Sequence, residues 1–235
     1  MSAAPETRRE IRSFVRRSGR IGGYRAEILK NPPDGALFNE ETLPKITSEA
    51  LFGNDRPLIV EIGFGMGDAT VIIACENPQT NYLAIDVHRP GIGKLLSEIN
   101  DRQLENLKAV EGDAQRILNS SKAAAVAVDG FHISFPDPWQ KKRHRKRRLI
   151  TDSFVRRLTE LLKPNGYILA ATDWIDYAEQ IQTVLSSFPE LKNSSRPHFE
   201  RLSQRPMTKF EKKGLEKGHR IFDFFYVKRS AYVGQ

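Results

Sequence analysis

The stretch Glu61-Ile62-Gly63-Phe64-Gly65-Met66-Gly67 decides the fold of this chain. It follows the apolar run 58–60 and precedes helical patterning, and so predicts a strand, a glycine loop and a helix in succession. Glycine lacks a Cβ atom, which lets the main chain of such a loop approach a nucleotide-like ligand closely. The dinucleotide fingerprint requires a third glycine where this chain has Asp68, and a carboxylate there would face the pyrophosphate. The loop therefore favours a ligand without phosphate over NAD.

Short apolar runs and amphipathic stretches alternate beyond this loop, in the pattern of repeated βαβ units. The pattern predicts strands over 58–63, 81–87, 107–111, 131–135 and 167–172, and a last β-rich run over 220–227. Helices are predicted over 68–75, 90–100, 114–125, 151–162 and 177–188. The fold class is therefore α/β, doubly wound around a mostly parallel sheet.

Residues 1–50 lack this apolar periodicity, and the turn-forming sequence Asn31-Pro32-Pro33-Asp34-Gly35 interrupts them. The first thirty residues carry eight Lys and Arg against three Glu. We predict a basic, flexible N-terminal extension over 1–50 that becomes ordered on binding, and one domain over 51–235.

The composition excludes several classes of protein. The 235 residues suit one sizeable core, and no apolar run is long enough to cross a bilayer. The polar N-terminus does not resemble a secretion signal, and one cysteine, Cys75, cannot form an intrachain disulfide. No group of Cys and His has the spacing of metal ligands. We therefore expect a cytoplasmic protein with no membrane contact and no metal site.

Basic residues concentrate in one segment. The chain carries 37 Lys and Arg against 29 Asp and Glu, a net charge of +8. Seven of these cations lie within the eight positions 141–148, and removing the seven would lower the net charge from +8 to +1. The ordinary interpretation of such a run is a solvated surface or a localisation signal. Its position between a predicted strand and a predicted helix favours contact with nucleic acid instead.

Acidic residues follow the next two predicted strands where each strand ends, Asp86 after the second and Asp113 after the third. Because the carboxyl ends of neighbouring parallel strands border one crevice, we expect these carboxylates to converge with Glu61. Asp86 lies 21 residues beyond Gly65, a spacing suited to a carboxylate that accepts both ribose hydroxyls. The structural alternative is that each glycine forms a turn and each acid caps a helix.

This combination resembles the class I S-adenosylmethionine-dependent methyltransferases. The resemblance implies a Rossmann-like sheet of seven strands with an antiparallel strand near the C-terminus, S-adenosylmethionine as cofactor and S-adenosylhomocysteine as product. It also implies that the loop wraps the methionine moiety, that Asp86 binds the ribose and that Asp113 contacts the adenine amine. The implied cofactor-binding residues in this part of the chain are Glu61, Gly63, Gly65, Gly67, Asp86 and Asp113.

A second motif, Phe135-Pro136-Asp137-Pro138-Trp139, ends the fourth predicted strand and leads directly into the basic run. The two prolines restrict the backbone around Asp137, which predicts a carboxylate held on a stiff turn at the mouth of the crevice. Trp139 offers a stacking face or a buried anchor. The motif therefore predicts chemistry at Asp137 beside a phosphate-binding surface.

With this motif the resemblance narrows to the bacterial tRNA (guanine-N7)-methyltransferases. Residues 12–20, Thr172-Asp173 and Thr208-Lys209-Phe210-Glu211 are similar to further segments of that family. The resemblance implies methyl transfer to N7 of guanosine in tRNA, at position 46 in the variable loop, with Asp137 both catalytic and cofactor-binding. One departure is Asp86, which stands where we expect Glu in most bacterial members. The implied tRNA-binding residues are Lys141, Arg143, His144, Arg145, Lys146, Arg147, Arg148, Asp173, Thr208, Lys209, Phe210 and Glu211.

Two other functions stay open. Adenine-N6 methyltransferases carry an Asn/Asp-Pro-Pro-aromatic turn, whereas Asp137-Pro138 is followed directly by Trp139. A non-catalytic RNA-binding protein on the same scaffold would have lost the glycine loop or the acids, and this chain keeps both. Methylation of guanine N7, which has a lone pair and no proton, needs positioning and electrostatics but no strong base, with Asp137 and Asp173 as candidate carboxylates. No obligate protein partner is expected, and the sequence does not distinguish a monomer from a homodimer.

Overall fold

A single sheet of eight strands runs through the part of the chain that the computed structural model describes, residues 12–14, 21–123, 127–194 and 206–230. The strands are β1 (Leu37–Asn39), β2 (Leu58–Ile62), β3 (Asn81–Asp86), β4 (Leu107–Glu111), β5 (Val128–Ser134), β6 (Leu162–Thr172), β7 (Leu191–Asn193) and β8 (Phe222–Lys228). The strand order is β1-β4-β3-β2-β5-β6-β8-β7; the neighbours from β1 to β6 are parallel, and β8 is antiparallel to both β6 and β7.

Helices cover both faces of the sheet. The helices are α1 (Gly23–Lys30), α2 (Ser48–Phe52), α3 (Asp68–Glu76), α4 (Arg89–Arg102), α5 (Ala114–Asn119), α6 (Asp152–Leu161), α7 (Ile175–Ser186) and α8 (Lys209–Glu216), with a 3₁₀ helix at Lys142–Arg147. Alternate residues of β2 show the division, because Val60 belongs to one buried cluster with α6 and α7 and Ile59 belongs to a second cluster with α3 and α4. None of the helices in the described ranges has the length and apolar character needed to traverse a bilayer.

The predicted doubly wound, mostly parallel sheet with an antiparallel strand near the C-terminus is confirmed, with eight strands in place of seven. The short strand β1 lies inside the stretch predicted as an extension, where it pairs with β4. Leu43 and Ile46 from the same stretch are buried in the core. The packed structure therefore includes part of the predicted extension, from helix α1 with its buried residue Ile28 onward. Residues 1–11 and 15–20 of the predicted extension lie outside the described residues.

Packing of α1 against α4 depends on a glycine. A Cβ atom at Gly93 would lie 2.9 Å from Leu29 Cδ1 and 3.0 Å from the carbonyl oxygen of Arg25, so the two helices meet where α4 has no side chain. The predicted helix over 114–125 ends earlier, at Asn119, and residues 124–126 lie outside the described part.

The order of the strands reverses between β2 and β5, which is where open α/β sheets form a crevice beyond the carboxyl ends of their strands.

Candidate active site

The glycine loop after β2 adopts a backbone that other residues rarely adopt. Gly63, Gly65 and Gly67 have φ angles of 76°, 62° and 75°, in the left-handed region. Gly63 and Gly65 line a cavity of about 240 Å³, and a Cβ atom at Gly63 would meet nothing within 4 Å. A side chain at these positions would therefore be strained and would compete with a ligand for space.

Helix α4 supports this loop from behind through Gly91, a residue that the motifs do not single out. A Cβ atom at Gly91 would lie only 1.7 Å from the carbonyl oxygen of Gly65. The signal that could have revealed it is Gly91-Ile92-Gly93, because glycine inside a helix costs roughly 1 kcal/mol relative to alanine and needs a packing reason. Because Gly91 has no side chain, α4 can pack directly against the backbone of the glycine loop.

The cavity brings together five of the seven predicted cofactor-binding residues: Gly63, Gly65, Asp86, Asp113 and Asp137. The other two, Glu61 and Gly67, do not line it. Gly67 is the residue before α3, and a Cβ atom there would lie 2.9 Å from Leu95 Cδ1. Glu61 is 6% exposed within β2, and burial raises its pKa to about 7. Glu61 directly precedes Ile62, which lines the cavity, and Gly67 approaches Leu95 of α4.

The two strand-end carboxylates already have structural partners. Asp86 accepts hydrogen bonds from the backbone N–H groups of Gly65, Val87 and His88 at 2.7, 2.7 and 2.9 Å. Burial raises the pKa of Asp86, and these three donors act in the opposite direction. Asp113 caps α5 by accepting from the backbone N–H of Gln115 at 2.9 Å. Asp113 therefore caps a helix, as the structural alternative expects, whereas Asp86 holds the glycine loop without capping a helix. Both also line the cavity, since one aspartate has several acceptor positions.

The turn that carries Asp137 is strained. Phe135 and Trp139, on either side of Pro136-Asp137-Pro138, have φ angles of 53° and 43°, which bulky residues seldom adopt. The backbone N–H of Phe135 donates to the carbonyl oxygen of Ala171 at 2.8 Å, so the turn is attached to the end of β6. Asp137 itself is exposed and lines the cavity. Strain of this kind is typical of functional sites that other contacts hold in place.

Trp139 is an anchor for the segment 12–14. Its Nε1–H donates to the carbonyl oxygen of Ser13 at 2.9 Å. Arg147 stacks 3.9 Å from the centre of the Trp139 ring and donates to the carbonyl oxygens of Arg12 and Phe14 at 2.8 and 3.2 Å. Ser13 and Phe14 line the cavity. The basic segment thus holds a piece of the N-terminal region over the candidate site.

The basic segment presents two different faces. Five of its cations are exposed: Lys141, Lys142, Arg143, Arg145 and Lys146. Arg145 pairs with Asp176 at 2.9 Å. His144 packs edge-on against Trp139, and burial together with the surrounding cations lowers its pKa. The exposed face is the part that a phosphate backbone can reach.

Arg148 requires a correction, because its side chain does not belong to that exposed face. It is 2% exposed and stacks on Tyr177. Its Nε donates to the carbonyl oxygen of Pro138 at 2.9 Å, and its other nitrogens bond Gln180 Oε1, at 2.8 Å, and Asp176. These acceptors engage all three guanidinium nitrogens, so in this structure Arg148 holds the Asp137 turn and does not reach the exposed face.

The four predicted residues 208–211 form the start of α8. Thr208 and Glu211 make a capping box, in which the Thr208 side chain accepts from the N–H of Glu211 and the Glu211 carboxylate accepts from the N–H of Thr208. Glu211 is buried, whereas Phe210 is 56% exposed and lines the cavity beside Gly65. The Thr-x-x-Glu spacing was a signal for this cap. Only Phe210 of the four lines the cavity through its side chain; the Lys209 side chain lies outside the described residues.

Comparisons with known proteins identify relatives of this chain. The methyltransferase family model Methyltransf_4, described as "Putative methyltransferase", matches residues 55–224. The chain is 44% identical to the tRNA (guanine-N(7)-)-methyltransferase of Chromobacterium violaceum, over 96% of this chain and 99% of that protein. It is also 44% identical to the enzyme of that name from Burkholderia vietnamiensis, over 97% of this chain and 88% of the relative.

Among solved structures, an rRNA methylase from Streptococcus thermophilus has the same fold, with a TM-score of 0.50 and 12% identity over 75% of this chain and 89% of that chain. This likeness concerns the fold, because one fold serves many chemistries. The sequence matches establish the family as well as the fold, because they combine 44% identity with coverage of nearly the whole chain: the chain belongs to the tRNA (guanine-N(7)-)-methyltransferase family.

Proposed function

We propose that this protein transfers the methyl group of S-adenosylmethionine to N7 of guanosine in tRNA, at position 46 of the variable loop, producing N7-methylguanosine and S-adenosylhomocysteine. One observation carries the proposal: a single cavity joins the glycine loop to the Asp137 turn, and an exposed cationic face follows that turn directly. The names of the relatives support the same reaction. A cytoplasmic location is consistent with this substrate.

The residues around the cavity suit the proposed cofactor. The left-handed glycines 63 and 65 keep the cavity wall free of side chains, and the adjacent carboxylates Asp86 and Asp113 can accept hydrogen bonds from ribose hydroxyls and from an adenine amine. No lysine or arginine lines the cavity among the described residues, which suits a ligand without phosphate. When bound, S-adenosylmethionine supplies an electrophilic methyl group on a positively charged sulfur.

Chemistry at the base then depends on electrostatics and positioning. The lone pair of guanine N7 forms the new bond to carbon, the electron pair of the broken carbon–sulfur bond stays with sulfur, and no proton has to move. Positive charge appears on the guanine ring as the bond forms. A carboxylate on the strained turn, Asp137, can stabilise that charge or accept from the N1 and N2 edge of the base, and Asp173 at the end of β6 can do the same.

The exposed cationic face supplies the contact with tRNA. Lys141, Lys142, Arg143 and Lys146 lie on the chain just beyond Asp137, so phosphates bound there would be held near the reacting base. Phe210, exposed at the cavity, offers an aromatic face for a base.

Incubation of the purified protein with unmodified total tRNA and methyl-labelled S-adenosylmethionine, followed by nucleoside analysis, tests the proposal. We expect the label in N7-methylguanosine. Label in N6-methyladenosine would replace the proposal by the amine-methylating alternative. An unlabelled product, combined with tRNA binding and no calorimetric binding of S-adenosylmethionine, would replace it by the non-catalytic RNA-binding alternative.

A further inference from the structure

A histidine outside the predicted site lies against one of its carboxylates. His219 Nδ1 is 2.9 Å from Asp173 Oδ2, and the two side chains are 35% and 28% exposed. Asp173 directly follows β6 and does not itself line the cavity, whereas His219 follows helix α8, whose residue Phe210 lines it. The contact therefore joins the end of β6 to the helix that carries Phe210.

The end of α8 fixes where His219 lies. Gly218 has a φ angle of 75°, and its N–H donates to the carbonyl oxygen of Leu215 at 2.9 Å. The N–H of His219 donates to the carbonyl oxygen of Gly214 at 2.9 Å. These two bonds and the left-handed glycine constitute a Schellman motif, which stops the helix and directs the next residue away from it.

Gly214 also lets helix α8 approach the Asp173 side chain closely. A Cβ atom on Gly214 would lie 3.0 Å from Asp173 Oδ2 and 3.2 Å from Asp173 Cβ, so α8 meets the aspartate where it has no side chain. One helix end thus places an imidazole nitrogen against the carboxylate oxygen and, at Gly214, leaves the carboxylate the room that a side chain would crowd. The hydrogen bond with His219 restricts the rotation of the carboxylate.

We propose that His219 is a positioning residue that orients the Asp173 carboxylate toward the guanine base. This inference rests on the proposed function. An aspartate offers about four acceptor positions, so a donor at Oδ2 leaves others for the N1–H and N2–H groups of guanine. His219 itself touches neither substrate nor cofactor; it acts by holding Asp173 in the geometry that the base requires.

The test compares His219→Phe, which keeps a ring but has no donor, with His219→Asn, whose amide nitrogen can occupy the place of Nδ1. We expect His219→Phe to lower kcat for tRNA methylation roughly tenfold, the scale of one hydrogen bond to a charged group. The dissociation constants for tRNA and S-adenosylmethionine and the melting temperature should stay near those of the unaltered protein. His219→Asn should recover most of the lost rate.

The same substitution in an Asp173→Asn background gives a second, independent readout. If His219 acts through Asp173, then His219→Phe should cause no further loss in kcat there. An additional tenfold loss in that background, an unchanged kcat in the single variant, or a loss that His219→Asn does not recover would each overturn the role of His219. Failure of the unaltered protein to form N7-methylguanosine would instead overturn the proposed function, and this inference with it.

Discussion

Substitution of Gly91 by alanine tests whether the helix behind the glycine loop shapes the cofactor site. The new Cβ atom would lie 1.7 Å from the carbonyl oxygen of Gly65, while real Cβ contacts essentially never fall below 3.0 Å, so helix and loop must separate by at least the difference, 1.3 Å. Inserting one methyl group into a packed site costs about 1–3 kcal/mol. If the loop yields, that cost corresponds to roughly 5- to 150-fold weaker binding of the cofactor.

Isothermal titration calorimetry with S-adenosylmethionine and with S-adenosylhomocysteine measures this effect directly. Gly93→Ala is the matched control, because it lies two residues away on α4 and its Cβ atom would instead press on Leu29 and Arg25 of α1. We expect both variants to melt at lower temperature but only Gly91→Ala to lose affinity for the cofactor. Affinity within twofold of the unaltered protein in Gly91→Ala, or an equal loss in Gly93→Ala, would refute the reasoning.

Three further changes test other parts of the site. Asp137→Ala should abolish methyl transfer while tRNA binding, measured by filter retention, changes little. Replacing the exposed residues Lys142, Arg143 and Lys146 by alanine should weaken tRNA binding and flatten its salt dependence, since each lost phosphate contact lowers the log–log slope by somewhat under one unit. Glu61→Gln should raise the melting temperature at pH 8 but not at pH 4.5. Burial raises the pKa of Glu61 to about 7, so the stability that its neutral form provides is lost as the pH rises toward 7.

Each of these three expectations has its own contrary result. An active Asp137→Ala protein would remove that carboxylate from the mechanism, and an unchanged salt slope would leave the exposed cations without a role in binding. A Glu61→Gln variant with the same change in melting temperature at both pH values would show that the folded protein does not perturb this carboxyl. Comparing the variant with the unaltered protein at each pH cancels the titration of the groups that do not interact with Glu61.

The central sheet could be predicted because its parallel strands are buried on both faces. All five residues of β2 are buried, and such a strand appears in the sequence as a short apolar run whose position is clear even where its ends are not. Convergence of Asp86 and Asp113 on one cavity followed from the same topology, since parallel strands end at a common edge. The site residues that lie at strand ends were therefore the most accessible to sequence reasoning.

What the sequence could not predict depends on contacts between distant residues. The approach of Gly91 to the loop requires α4 to pack on it, and only the folded chain sets that distance. Strand β1 has three residues, which is too short for an alternating apolar pattern to be recognised in the sequence. The strand is defined by its pairing with β4. The burial of Arg148 depends on Asp176 and Gln180, which lie 28 and 32 residues further along the chain. Local patterns carry no information about such partners.

Arg148 also changes the interpretation of the charge in the basic segment. A buried guanidinium is stable only with acceptors around it, and removal of one partner of a buried pair typically costs about 3–5 kcal/mol. Arg148 donates to acceptors in the Asp137 turn and in α7, whereas Arg147 donates to the backbone carbonyl oxygens of residues 12 and 14. Two of the seven cations therefore hold the site, and five remain exposed, of which Arg145 pairs with Asp176. Because both sets belong to the short segment 141–148, which contains the 3₁₀ helix, an RNA backbone bound on its exposed face would contact the same segment that holds the Asp137 turn and residues 12–14.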